Sequence, residues 1–132
     1  KKITENEERL RSITNNLNDG VIYQYIVTEK GEIDSFPYAS SGVNDLFEIS
    51  ADMLLQDPML VFNMVLPNDL EAMLQKGEIS RRDLTPFEHE YRILTPSGKT
   101  KWIQTRSKPR RLPDGKTIWD GLSINITKRK KL

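Results

Sequence analysis

The sequence has no cysteine and a single histidine. The first absence removes disulfides, thiolate metal sites and thiol nucleophiles, and the second removes any paired-imidazole metal site. With no glycine-rich phosphate loop either, most nucleophilic, metal and phosphate-binding arrangements are excluded. No apolar run approaches the roughly 18 residues of a membrane helix. The stretch "MLVFNMVL" is short and is interrupted by Asn63. An excess of one charge is also missing. Lys and Arg number 20 against 19 Asp and Glu, for a net charge of +1. The overall field therefore gives no argument for nucleic acid or membrane as a partner. No signal peptide is expected from these residues, and they contain no internal repeat or low-complexity tract. These absences leave catalysis little to stand on; a cytoplasmic chain is expected, although the lack of cysteine by itself fixes no compartment. Its first residue is Lys, and both ends read as cut from a longer protein.

What is present suits one soluble domain. At 132 residues the chain supports one modest core, and 36% apolar against 30% charged residues leaves little hydrophobicity to spare. "TENEERLRSITNNLNDG" reads as a helix over residues 1–19, with Thr4 and Glu7 at capping-box spacing. Ile3, Leu10, Ile13 and Leu17 form one a/d stripe. That stripe fits either a helix packed on its own domain or the seam of a homodimer. "VIYQYIV" is a strand rich in β-branched and aromatic residues. "EKGE" turns around Gly31 into a second short strand, "SFPYAS".

Short helices follow. Ser50 can cap "ADMLLQ", and Pro58 begins "PMLVFNMVL". Asn68 and Glu71 repeat the capping spacing at the start of "DLEAMLQKGEISRR". There Leu70, Met73, Leu74 and Gly77 share a face, on which Gly77 is expected to permit close packing. The last third is three strands, "PFEHEYRIL", "TKWIQTRSKPRRL" and "KTIWDGLSINIT", joined by "TPSGK" and "LPDGK". Pro and Gly stand there where tight turns need them. Short links between neighbouring strands mean an antiparallel meander. The order predicts an α+β domain: a single five-stranded antiparallel sheet with short helices on one face, preceded by a flanking helix.

These words, in this order, resemble the PAS sensor domain over nearly the whole chain. "FPYASSGVNDLFEIS" is similar to the family's second strand and first short helix. "VLPND" is similar to the segment opening its long helix. "FEHEYRILTPSGKTKWIQTRSKP" is similar to its two central long strands, and "DGKTIWDGLSINITKRK" to its closing strand and Asp-Ile-Thr exit motif. Two positions depart from the pattern: Leu66 stands where many members have His, and Asn125 stands for the motif's Asp. An amide keeps hydrogen-bonding capacity and loses the charge. The resemblance implies a PAS domain over residues 20–127 and the start of a linker helix at 128–132.

The resemblance also implies a cavity between sheet and helices. On the third strand Phe87, His89, Tyr91 and Ile93 share one face by alternation, and in PAS domains that face lines the cavity. His89 reads as a hydrogen-bonded histidine in a packed interior or at the strand's open end; the other readings are a ligand donor, a haem ligand or a pH-sensitive group. Trp119, Gly121 and Ser123 fall on the cavity side of the last strand, with Leu122, Ile124 and Ile126 on the outer face. Tyr38, Phe47 and Phe62 are candidates for the other wall. Each aromatic is either core packing or ligand contact. Glu88 and Glu90 alternate on a strand and read as a solvent face rather than an acid–base pair. No cofactor is expected. The flavin adduct of light-sensing members needs a Cys, and haem-binding members usually take an axial His from the helical half, which has none here.

The expected function is a sensory module that holds a small molecule or a partner surface. It would pass a conformational bias through Asn125 and Thr127 to an output domain in the same chain. A sensor histidine kinase is the expected parent, and a diguanylate cyclase or phosphodiesterase is the alternative. A purely structural dimerisation module is a rival reading. Nucleic-acid binding through "RSKPRR" and "KRKK" is disfavoured by the near-zero net charge and the lack of an aromatic stacking platform.

Overall fold

The computed structural model describes residues 20–130. The expected helix over residues 1–19, with Ile3, Leu10, Ile13 and Leu17, lies outside the described residues, as do the last two of the expected linker. The chain opens with β1 (Gly20–Val27) and β2 (Ile33–Ala39). Helices α1 (Val43–Leu46), α2 (Ala51–Gln56), α3 (Met59–Met64) and α4 (Pro67–Asp83) follow. Then come β3 (Phe87–Leu94), β4 (Thr100–Arg111), β5 (Thr117–Asn125) and a one-turn helix, α5 (Thr127–Lys130).

The five strands form one antiparallel sheet in the order β2-β1-β5-β4-β3. Strands β3, β4 and β5 pair in sequence because their turns are tight. Gly98 and Gly115 adopt φ of 88° and 92°, a left-handed conformation that costs glycine little. The long-range step is the pairing of β5 with β1, continuous from Gly20↔Ile124 to Val27↔Thr117. It puts the first and last strands of the domain side by side at the centre of the sheet.

The helices cover one face. Val43, Leu46, Ile93 and Ile103 are 0% exposed and anchor the core between the layers. Ser50 caps α2 as its position implies, its side chain accepting from the Met53 N–H. The start of α4 differs from expectation. Asn68 and Glu71 do not frame it; the helix begins at Pro67 after Leu66, with no side-chain cap. The reason is tertiary. Val65 bridges to Ile93, and the Leu66 N–H donates to the Arg92 carbonyl, so the chain is tied to β3 before the helix opens. Proline then fits the first turn, where its missing N–H has no helical partner to lose.

Candidate functional site

Side chains alternate across a strand. The inner face of the sheet therefore presents Tyr23 and Tyr25 of β1, Thr105 and Ser107 of β4, and Trp119 and Ser123 of β5. Phe47, Phe62 and Met73 face them from the helical side. These surfaces enclose a cavity of about 450 Å³. That is within the size range of small-molecule sites.

Aromatic rings form its walls. Tyr25 lies 5.5 Å from Trp119 in a stacked pair and 4.8 Å from Phe36, which in turn sits 6.1 Å from Phe62. The Trp119 indole N–H donates to the Ser80 hydroxyl of α4 at 2.9 Å, and that hydroxyl donates to the Thr85 carbonyl. The sheet and the long helix are thus pinned together at the side of the cavity. Gly121 lies beneath the Tyr23 ring. A Cβ there would come within 2.6 Å of the ring, so the glycine lets the tyrosine lie flat across β5 towards Ser107.

The polar groups facing inward are neutral. The Tyr91 hydroxyl is 2.8 Å from the Thr105 hydroxyl, which is 2.8 Å from the Ser123 hydroxyl. Burial raises the pKa of Tyr91, Tyr23 and Tyr25, because a phenolate would lose its hydration. The charged residues lining the cavity are Glu32, Glu78 and Arg81. Glu78 and Arg81 form a two-bond ion pair, and Arg81 holds the Glu78 carboxyl below its usual pKa.

Phe47, Phe62, Tyr91, Trp119 and Ser123 meet at this cavity. Three other candidates lie elsewhere. Tyr38 is off the wall; irregular register between β1 and β2 puts Phe36 and Ala39 there instead. Ile93 is buried in the core beside Val65. His89 shares the strand face but sits under α4, its ring 6.0 Å from Tyr91. Burial, then nearby Lys76, lowers its pKa. Gly77 also differs from expectation: a Cβ there would meet nothing within 4 Å, so it borders open cavity rather than close packing.

At the end of β5 the opposite face carries charge. Asp69, in the first turn of α4, accepts from the Arg92 backbone N–H at 2.8 Å and from its guanidinium at 2.9 and 3.0 Å. Arg92 lies over the Trp102 ring, 5.4 Å from its centre, and Lys130 of α5 lies over the same ring at 4.7 Å. Lys130 also pairs with Glu90 at 2.6 Å. Trp102 holds the chain as it leaves the sheet. Its backbone N–H donates to the Thr127 hydroxyl at 3.0 Å, and its carbonyl accepts from the Ile126 N–H at 2.8 Å. The Asn125 side-chain oxygen accepts from the Thr127 N–H at 2.9 Å and from the Thr127 hydroxyl. These bonds use the amide as an acceptor, which an aspartate could also be.

The sequence pattern described as the PAS fold matches residues 36–122. The chain belongs to the PAS family. Solved PAS-like structures superpose on it closely. One is a domain assigned to a light and redox sensing histidine kinase from Haloarcula marismortui, with a TM-score of 0.69 and 18% identity, covering 92% of this chain and 100% of that one. Another is the N-terminal domain of a diguanylate cyclase with PAS/PAC sensor from Marinobacter aquaeolei, at 0.67 and 16%, covering 84% and 98%. A third is a PAS domain from Colwellia psychrerythraea, at 0.64 and 18%, covering 92% and 98%. No curated protein matches the sequence.

This PAS domain is thus a signalling sensor module by family. Reasoning from the sequence missed several of its cavity residues, among them Tyr23, Tyr25, Phe36, Thr105 and Ser107. The signal for Tyr23 and Tyr25 was present in the alternation of Val21, Tyr23, Tyr25 and Val27. What decides that this set faces inward is the pairing with β5. Among the described residues no helix is long and apolar enough to cross a membrane.

Proposed function

We propose that this PAS domain is the ligand-holding input module of a sensor histidine kinase. A small molecule in the cavity would change the balance between two positions of α5, and so of the chain that follows it. The observation that carries this reading is the sharing of three strands. Tyr91, Thr105 and Ser123 border the cavity on β3, β4 and β5, while the same strands carry Arg92, Trp102 and Asn125 at the exit. A ligand shifts such an equilibrium only by binding the two states differently, and contacts with all three strands and α4 would provide the means. Homodimerisation through Ile3, Leu10, Ile13 and Leu17 and a cytoplasmic location belong to the same reading. A diguanylate cyclase output is the second reading, since one of the similar structures comes from such a protein.

Native mass spectrometry of the protein as isolated from its own cells tests the ligand. A bound small molecule is expected, lost in an Ala39→Phe variant that fills the cavity. The parent protein should then lose its response while the variant remains folded. A ligand-free protein whose output is unaffected by Ala39→Phe would leave only a structural module. Autophosphorylation of the parent separates a kinase from a cyclase.

A further inference from the structure

The chemistry of the cavity wall narrows what it can hold. We infer that the ligand is an uncharged, mainly aromatic molecule of one or two fused rings, carrying an oxygen that accepts a hydrogen bond from Ser123. This rests on the ligand-holding reading above and specifies it.

Three observations converge. The first is the ring wall: Tyr25, Phe36, Phe62 and Trp119 offer flat π-faces that suit another aromatic. The second is the charge distribution. The charged residues lining the cavity are Glu32, Glu78 and Arg81, and two of these three are paired with each other. Arg81 is the cation among them, and its guanidinium is already engaged by Glu78 through two bonds. A carboxylate taken inside would lose its hydration with no free cation to replace it. The lining also has no Asn or Gln to read an amide-rich heterocycle edge. The third is a proton count. Tyr91, Thr105 and Ser123 carry three hydroxyl protons, and the two contacts between them use two. A phenol is the stronger donor, so Tyr91 donates to Thr105 and Thr105 to Ser123. The Ser123 proton can go back to the Tyr91 oxygen, which is within its reach, or to a ligand, since Ser123 borders the cavity. A ligand oxygen in the cavity competes with Tyr91 for it and can draw it inward.

Calorimetric titration of the domain at pH 7 with 2-naphthol, 2-naphthoate and naphthalene tests the inference. 2-Naphthol should bind at least tenfold more tightly than 2-naphthoate and several-fold more tightly than naphthalene. Ser123→Ala should remove the advantage of naphthol over naphthalene and leave naphthalene affinity unchanged. That last measurement also shows that the variant keeps its cavity. Naphthoate binding as tightly as naphthol would overturn the inference and leave a ligand-holding sensor standing. So would a naphthol preference that survives Ser123→Ala. Failure of all three probes would also overturn it, and the mass of the protein as isolated then decides independently whether another ligand is held.

Discussion

Tyr91 and Arg92 are neighbours in β3 and belong to different chemistries. Tyr91 is 2% exposed, neutral, and joined to two other hydroxyls at the cavity. Arg92 faces outward, paired with Asp69 and stacked on Trp102. The same division runs along the strands. Inward, the sheet offers rings and hydroxyls. Outward, cross-strand partners such as Glu88 and Arg106 carry opposite charges. The inner face holds its shape by burial and close packing, which respond to volume. The outer corner holds the exit helix by charge and hydrogen bonds, which respond to pH and salt. In the proposed sensor, what is bound and what is transmitted would lie one strand thickness apart.

The comparison breaks most severely on the inner face. Trp119→Ala should remove the stacked partner of Tyr25 and the bond to Ser80, at a cost of about 3–5 kcal/mol in denaturant unfolding. Because it opens a cavity rather than breaking an ion pair, its effect should be the same at low and high salt. A strongly salt-dependent loss would contradict the division.

The exit corner should show the reverse pattern, with little stability lost and much signal. Asn125→Ala and Thr127→Ala remove the bonds that set where α5 starts and should each cost about 1 kcal/mol. In the intact parent, output should change by a larger factor than stability, because a small bias suffices to move a two-state partner. Output and melting temperature measured together decide it; if neither moves, the signal leaves elsewhere.

Acid should sharpen the contrast. Hydrogen bonding from Arg92 holds the Asp69 carboxyl below its ordinary value. The folded state thus binds that proton less readily than the unfolded state. The stabilisation is complete above the ordinary value, about 4, and is lost as pH falls through the lower folded value. Asp69→Asn should flatten the acid limb of a melting-temperature profile, with no change in cavity binding at neutral pH.

The smallest effect belongs to His89. Burial, with Lys76 nearby and Asp69 and Glu90 opposing, lowers its pKa from the ordinary 6.5. Stability should therefore be highest above that value and decline gently as pH falls below it, since the unfolded state takes up the proton first. Unfolding curves of wild type and His89→Gln between about pH 7.5 and about pH 5, a window that spans the imidazole range, should diverge only on the acid side.

Local patterns carried much of the architecture. The period-two alternation of "FEHEYRIL", the Pro and Gly of "TPSGK" and "LPDGK", and Ser50 ahead of "ADMLLQ" each act within a few residues, so the three-strand meander and α2 stand where the sequence puts them. The sequence also determined that the interior has no thiol and that the exit motif carries an amide. Tertiary structure decided the rest. Alternation divides β1 into two faces without saying which is inside, and only its pairing with β5 turned Tyr23 and Tyr25 towards the cavity. Irregular pairing of β1 with β2 chose Phe36 over Tyr38, because a shift of one residue moves a side chain to the opposite face. The start of α4 was set by Leu66 on β3, and Asp69 was drawn from the helix end to Arg92, a partner 23 positions away in the chain. Contacts between segments so far apart depend on how whole elements dock, and no spacing within either segment encodes that.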